Sequence, residues 1–225
     1  MGEHSNNNNN SEIRKRIYLT IMSSVDFEET GHKLLNMKIH RSQQMEICTM
    51  VLKCCSQETT YRNYYGLLGQ RLCANNHSHH HNFEKCFVNN YEMIHNHKFE
   101  TNKIRNLAKF FAHLLSTNAL SWHVLACISL TQHNTTPSSR IFIKFLFQEL
   151  SEQLGIRILN ERLSNPRMYD SFESIFPKDN EKDTRFAINF FNSIGLGGLT
   201  DNMREYLKKN ESECTRKRKH NENEE

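Results

Sequence analysis

Apolar side chains recur with the period of an α-helix along most of this 225-residue chain. Spacings of three and four residues define one such helical face, made of Tyr61, Tyr64, Tyr65, Leu68 and Leu72. Residues that interrupt helices are scarce: the chain has 8 Gly and 3 Pro among its 225 residues. Both counts are well below the average usage of roughly 7% Gly and 5% Pro. An all-β sandwich or barrel needs many turns, and this scarcity argues against it. We therefore predict an all-α fold of long helices joined by short loops.

The periodic segments predict eleven or twelve helices. They cover residues 12–22, 25–37, 43–57, 60–74, 82–97, 101–116, 122–130, 137–154, 157–164, 168–176, 184–194 and 201–208. Short connections make neighbouring helices antiparallel, and each pair carries too little apolar surface to be stable alone. We expect an α-solenoid of stacked antiparallel helix pairs over residues 12–208.

Two helix ends and one central helix can be placed from local signals. Thr136-Pro137 puts a capping hydroxyl before a proline at the first helical position, which is typical of a helix start. The helix from 137 to 154 has apolar side chains nearly all round, so we expect it to be central and buried. Gly195 stands in the usual position for a helix stop, and the Gly195–Gly198 stretch predicts a tight turn rather than a phosphate loop.

The two ends of the chain differ from the middle in composition. Residues 1–11 include an Asn run with almost nothing to bury, and residues 209–225 are charged, so both are expected to be disordered. The second segment contains the basic cluster Arg216, Lys217, Arg218 and Lys219. Such a cluster is typical of a nuclear localisation signal, and a solvated charged tail is the alternative. No apolar run approaches the ~20 residues that a membrane span requires.

No motif in the chain predicts catalysis. Paired carboxylates, a nucleophile elbow and a Walker pattern are all missing, so we expect a protein that is not an enzyme and needs no cofactor. The densest group of potential metal ligands is His77, His79, His80 and His81, in a stretch expected to form a polar loop. Consecutive loop histidines lack the separate supporting elements of a metal site, so metal binding is only an alternative function. Cys48 and Cys55 lie on an apolar helical face and are predicted to be buried, reduced thiols.

A polar stripe on the helix from 101 to 116 is the main surface feature. Asn102, Arg105, Asn106, Lys109 and His113 lie opposite Leu107 and Phe111, with Lys103 at the edge. Such a stripe can meet an acidic partner or phosphates. The alternative is the ordinary solvated side of an amphipathic helix.

Several stretches resemble, in order, the C-terminal helical domain of the nucampholin family of splicing factors (the CWC twenty-two family). They are SVDFEE at 24–29, ETNKIRNLAKFFAHLL at 100–115, SSRIFIK at 138–144, FESIFP at 172–177 and TRFAINFFNSIGLGGLTD at 184–201. The resemblance covers roughly residues 13–208. It implies a domain of the MA-three type, which is a HEAT-like stack of antiparallel helix pairs, in agreement with the periodicity.

The resemblance also implies a function. It implies a non-enzymatic scaffold that binds spliceosomal proteins and RNA in nuclear pre-mRNA splicing, with a link to exon-junction complex assembly. In that family an N-terminal middle domain grips a DEAD-box ATPase, and no such domain is found in this sequence, so recruitment of the ATPase is not expected. A translation-side adaptor that binds a DEAD-box ATPase is a second possibility. We expect partner binding at Asn102, Lys103, Arg105, Asn106, Lys109, Arg185 and Asn189.

Overall fold

A computed structural model describes the backbone of residues 3–97 and 99–221 and the side chains of residues 10–97 and 99–212. The regular structure in these ranges is helical throughout, which confirms the all-α prediction. The helices are α1 (Glu3–Ser23), α2 (Phe27–Leu35), α3 (Met45–Gln57), α4 (Asn63–Asn75), α5 (His77–Asn96), α6 (Thr101–Ser116), α7 (Pro137–Leu154), α8 (Ile156–Leu163), α9 (Tyr169–Phe172), α10 (Glu181–Ser193) and α11 (Asp201–Asn221). Short 3-10 turns occupy Arg41–Gln43, Trp122–Cys127, Pro166–Met168 and Gly197–Thr200. None of the described helices is both long and apolar enough to cross a bilayer.

The terminal helices extend into segments for which the sequence predicts disorder. α1 includes residues 3–11, and α11 continues beyond residue 208 to Asn221. Adding a residue to an existing helix gains one hydrogen bond and costs little more than its own ordering, so a helix can propagate into polar sequence. At the start of the chain, Gln43 donates a hydrogen bond of 2.7 Å to the Asn10 side chain, which ties this end of α1 to the next elements.

The His-rich segment is helical, so the prediction of a loop at residues 77–81 is wrong. α5 begins at His77 because Asn76 caps it: the Asn76 side chain accepts a hydrogen bond of 2.8 Å from the Ser78 N–H. Asparagine is among the favoured N-cap residues, since its oxygen satisfies an otherwise unpaired N–H of the first turn.

The described chain divides into two compact units, whereas the sequence predicts a single domain. The first unit contains the described residues up to Val124 together with Thr136–Gln153. The second contains Leu125–Thr135 and the described residues from Leu154 onwards. α7 therefore belongs to the first unit, although the segment immediately before it belongs to the second.

The first unit is built around α6, which packs against α3 and α4. Every residue of α6 from Ile104 to Leu115 is buried except Arg105 and Lys109. Aromatic rings connect α6 to its neighbours, with 5.0 Å between the ring centroids of Phe87 and Phe111. α7 has a buried face but also half-buried positions such as Phe145, so α6 rather than α7 is the central helix of this unit.

Two glycines of α4 allow its close approach to α6. A Cβ atom on Gly69 would lie 2.7 Å from Cζ of Phe110, and one on Gly66 would lie 2.7 Å from Cγ of His113. These positions are inside ordinary van der Waals contact, so a larger residue would push the two helices apart. The spacing of α4 and α6 therefore depends on glycine at both positions.

The second unit shows the helix stop that the sequence predicts at Gly195. This residue has φ +80, and its N–H donates to the Asn192 carbonyl at 3.1 Å. The Leu196 N–H donates to the Phe191 carbonyl at 2.8 Å. These two bonds form a Schellman motif, in which glycine adopts the left-handed conformation at little cost. The glycine-rich stretch is thus a structural turn that joins α10 to α11.

Candidate interaction surface

The first turn of α6 presents the outer part of the predicted polar stripe. Asn102 is exposed and Lys103 is half-buried, with its ammonium nitrogen 3.3 Å from a carboxylate oxygen of Glu100. The Arg105 guanidinium donates a hydrogen bond of 3.0 Å to the Thr59 carbonyl. Asn102 and Lys103 are therefore accessible to a partner, while Arg105 is partly engaged within the unit.

Asn106 is buried, so the prediction that it is an exposed binding residue is wrong. Its side chain has no solvent exposure, and its amide nitrogen donates to the carbonyls of Cys55 at 3.2 Å and Glu58 at 2.6 Å. In return, the Cys55 thiol donates to the Asn106 carbonyl at 3.7 Å. Asn106 therefore links α6 to the C-terminal end of α3, where helix carbonyls need donors.

The inner part of the stripe also serves the interior of the first unit. The Lys109 ammonium lies 2.7 Å from a carboxylate oxygen of Glu149 on α7. His113 is buried, and its Nε2 lies 2.9 Å from the Gln70 side-chain oxygen. Burial lowers the pKa of His113, and the Glu149 carboxylate opposes this effect. Lys109 and His113 thus join α6 to α7 and α4.

The other two predicted binding residues lie on α10, in the second unit. Arg185 donates to Glu181 at 2.7 Å and to Glu211 of α11 at 2.8 Å, and these bonds raise the pKa of its guanidinium. Asn189, one helical turn further along, is exposed. The predicted residues therefore fall into an α6 group and an α10 group, each on a different unit.

The basic cluster Arg216, Lys217, Arg218 and Lys219 falls outside the residues whose side chains are described. Its role as a nuclear localisation signal stays a prediction.

The histidines at the start of α5 do not gather around a common centre. His79 points inwards and is almost fully buried, with Nδ1 3.9 Å from the Cys48 sulfur, and burial lowers the pKa of His79. His80 and His81 instead face Glu84 on the next turn. Among the residues that the structure describes, no three potential ligands are placed to hold a metal ion.

The cysteines of the first unit are free, buried thiols, as predicted for Cys48 and Cys55. Burial raises the pKa of Cys48 and of Cys55, and raises that of Cys73 and of Cys86 to about 12 in each case. A thiol that keeps its proton is a poor nucleophile and a poor metal ligand. These cysteines therefore act as small apolar core residues.

The second unit carries a cleft of mixed polarity that the sequence does not predict. The cleft has a volume of about 260 Å³, and its lining combines apolar and polar side chains: Leu163, Pro166, Tyr169, Phe172, Phe176, Leu199, Met203, Asn160, Ser164, Asn165, Glu173, Lys178 and Asn202. The Tyr169 ring at its edge is 54% exposed. Its walls come from α8, α9 and α11, which are separate in sequence and come together only in the folded unit, so no local pattern indicates the cleft.

Comparison with known proteins identifies the class of this fold. Residues 13–121 match the MA3 domain family. This match begins within α1 and continues past the end of α6, so it covers most of the helices of the first unit. Residues 13–121, which form most of the first unit, therefore match an MA3 domain.

Curated relatives extend the match into the second unit. The chain is 52% identical over 196 residues to a pre-mRNA-splicing factor CWC22 homolog of Homo sapiens, covering 87% of this chain and 21% of the relative. Identity is also 52% over 195 residues with pre-mRNA-splicing factor cwf22 of Schizosaccharomyces pombe, at 87% and 22% coverage. With the Drosophila melanogaster homolog it is 52% over 196 residues, at 87% and 15% coverage. Over these residues the chain is similar to pre-mRNA-splicing factors of the CWC22 family, and it spans about a fifth of the length of most of these relatives.

Proposed function

We propose that this chain is a non-enzymatic interaction module that acts in nuclear pre-mRNA splicing as a component of the spliceosome. The observation that carries the proposal is the 52% identity over 196 residues to pre-mRNA-splicing factors. The proposed partners are spliceosomal proteins and RNA, bound by the surfaces of the helical units. A link to exon-junction complex assembly is part of the same proposal.

The chemistry of the described residues supports a binding role. The buried thiols of the first unit keep their protons because burial raises their pKa values, and the buried imidazoles of His79 and His113 have lowered pKa values for the same reason. Of the predicted binding residues, Asn102 and Asn189 are exposed and Lys103 is half-buried, on α6 and α10. Exposed polar residues of this kind suit the rim of a protein or RNA interface.

The test is an affinity purification of the tagged full chain from nuclear extract, with mass spectrometry of the retained proteins. We expect spliceosomal proteins and small nuclear RNAs to be retained, at levels well above those of a tag-only control. Retention of translation initiation factors without splicing proteins would overturn the proposal and favour the translation-side adaptor. The same experiment shows whether a DEAD-box ATPase is retained.

Surface variants separate the two groups of predicted residues. Asn102→Glu/Lys103→Glu changes the α6 group, and Asn189→Glu changes the α10 group, without touching an ion pair between helices. We expect at least one of these variants to retain less of the spliceosomal material than Lys85→Glu, an exposed control on α5. Equal retention by all three would contradict the assignment of these faces.

A further inference from the structure

A second apolar stripe lies on the outer side of α1. The inner side is formed by Ile13, Ile17 and Ile21, which are buried. On the opposite side Tyr18, Leu19 and Met22 are 40%, 52% and 55% exposed. Side chains at spacings of three and four residues share a helical face, so the three form one patch with Lys15. Contiguous apolar surface of this kind on a soluble domain marks an interaction site more often than single exposed residues do.

This patch continues into a groove between α1 and α3. The groove has a volume of about 320 Å³ and is lined by two helical stripes: Arg14, Lys15 and Tyr18 on α1, and Met50, Lys53, Cys54 and Gln57 on α3. We call this surface, together with Leu19 and Met22, the α1–α3 groove. Its stripes extend over eight or nine residues each, which is about 12 Å along a helix. A partner helix of two to three turns matches this length.

The groove is positively charged. Its lining contains three cations and no carboxylate. Arg14 is neutralised by Glu46, with guanidinium–carboxylate distances of 2.6 and 3.0 Å. Lys15 and Lys53 are exposed, and neither makes an ion pair with another described side chain. A partner that covers Tyr18 and Met22 must therefore bring carboxylates to these two ammonium groups.

We infer that the α1–α3 groove binds an amphipathic helix of another protein. The apolar side of that helix covers Tyr18, Leu19 and Met22, and its acidic side chains pair with Lys15 and Lys53. A second copy of this chain is disfavoured, because a two-fold contact would bring the same cations together. Single-stranded RNA fits less well, since it prefers stacked aromatic rings to the aliphatic side chains of Leu19 and Met22.

The inference deepens the proposed function, because it names the chemistry of one partner of the module. The test begins with a phage-displayed library of random 16-residue peptides, selected on the purified full chain. We expect the enriched sequences to carry apolar residues at positions i, i+3 or i+4, and i+7, with an excess of Glu and Asp. Enrichment of basic peptides, or of none, overturns the inference.

Charge variants then locate the binding site of the most enriched peptide, labelled with fluorescein and followed by anisotropy. Lys15→Glu/Lys53→Glu should weaken binding about tenfold or more, and Tyr18→Ser/Met22→Ser should do the same, since central anchors carry most of the affinity of an interface. The matched control is Lys38→Glu/Lys85→Glu, which reverses two exposed lysines of the same unit outside the groove. A peptide with its acidic residues changed to Lys should bind Lys15→Glu/Lys53→Glu better than the original chain.

Three further results overturn the inference. The first is an equal loss of peptide binding in the groove variants and in the control variant. The second is self-association of the original chain in sedimentation that Lys15→Glu/Lys53→Glu abolishes. The third is binding of a 20-nucleotide poly(U) probe, and of no peptide, that the groove variants abolish. Because the assay uses purified chain and peptide, its outcome is independent of retention by spliceosomes. A chain that still retains spliceosomal proteins but binds no acidic peptide would leave the proposed function standing and remove only the inference.

Discussion

Replacing Asn106 with alanine tests whether this residue stabilises the fold rather than binding a partner. The Asn106 amide donates to the carbonyls of Cys55 and Glu58, at the point where α3 ends. Alanine has the highest helix propensity, so the change leaves α6 itself intact. The experiment therefore isolates the bridge between α6 and α3.

The magnitude follows from the hydrogen bonds that are lost. Each of the two bonds contributes about 1 kcal/mol net, and a buried carbonyl left without its donor costs a further 1–3 kcal/mol or so. The Cys55 carbonyl keeps the Glu58 N–H as a donor at 3.3 Å, which reduces that cost. Alanine also removes the Asn106 side-chain oxygen, which is buried without a partner, and so recovers part of its desolvation. We expect a net loss of about 2 kcal/mol.

Thermal and urea unfolding of the full chain, followed by circular dichroism, measure this loss. A decrease of about 2 kcal/mol corresponds to a Tm lower by roughly 4–8 °C for a chain of this size. Asn106→Asp should cost more, because it places a carboxylate against two carbonyl oxygens. The matched control is Asn102→Ala on the exposed side of the same helix, with an expected change within about 0.5 kcal/mol. Equal stability of Asn106→Ala and Asn102→Ala would refute the reasoning.

Three further properties of the first unit can be predicted. Gly69→Ala should lower stability by about 1–3 kcal/mol in urea unfolding, because the new methyl group would overlap the Phe110 ring; unchanged stability would show that α4 and α6 can separate freely. Lowering the pH below about 6.5 should destabilise the chain, because burial lowers the pKa of His113 and the unfolded state therefore binds a proton there more readily than the folded state. The His113→Gln variant should then show a smaller decrease in Tm between pH 7.5 and 5.5. Cys73 and Cys86, whose pKa values burial raises to about 12, should react with a thiol reagent at pH 8 only at the rate of unfolding, and rapid labelling of either by peptide mass spectrometry would contradict their burial.

Most of the fold could be predicted from sequence because its signals are local. Thr136-Pro137 marks the start of α7, and the structure begins that helix at Pro137. There the Thr136 hydroxyl accepts a hydrogen bond from the Ser139 N–H, and the Ser139 hydroxyl accepts one from the Thr136 N–H. Gly195 marks the end of α10 in the same way. The resemblance to the nucampholin family was also visible in short strings of residues, and the relatives confirm it.

The interaction surfaces could be predicted only in part, because the sequence of a helix does not show which other helices cover its polar side. A helical wheel places Asn106 on the polar side of α6, but the C-terminal end of α3 covers that side. The same holds for Lys109, which pairs with a residue 40 positions later in the chain, Glu149. The cleft beside Tyr169 was missed for the same reason, because its walls come from segments that are separate in sequence.

The first unit consists of two separate chain segments, and this affects its folding during synthesis and the choice of expression fragments. When only the first 124 residues have left the ribosome, Phe87 and Lys109 still lack Phe142 and Glu149, their partners on α7. Because domains generally fold as units, the first unit cannot complete its folding until α7 has been synthesised. An expression fragment that stops where the MA3 match stops, at residue 121, would lack the same helix permanently. The shortest expression fragment that contains the whole first unit therefore ends near residue 153.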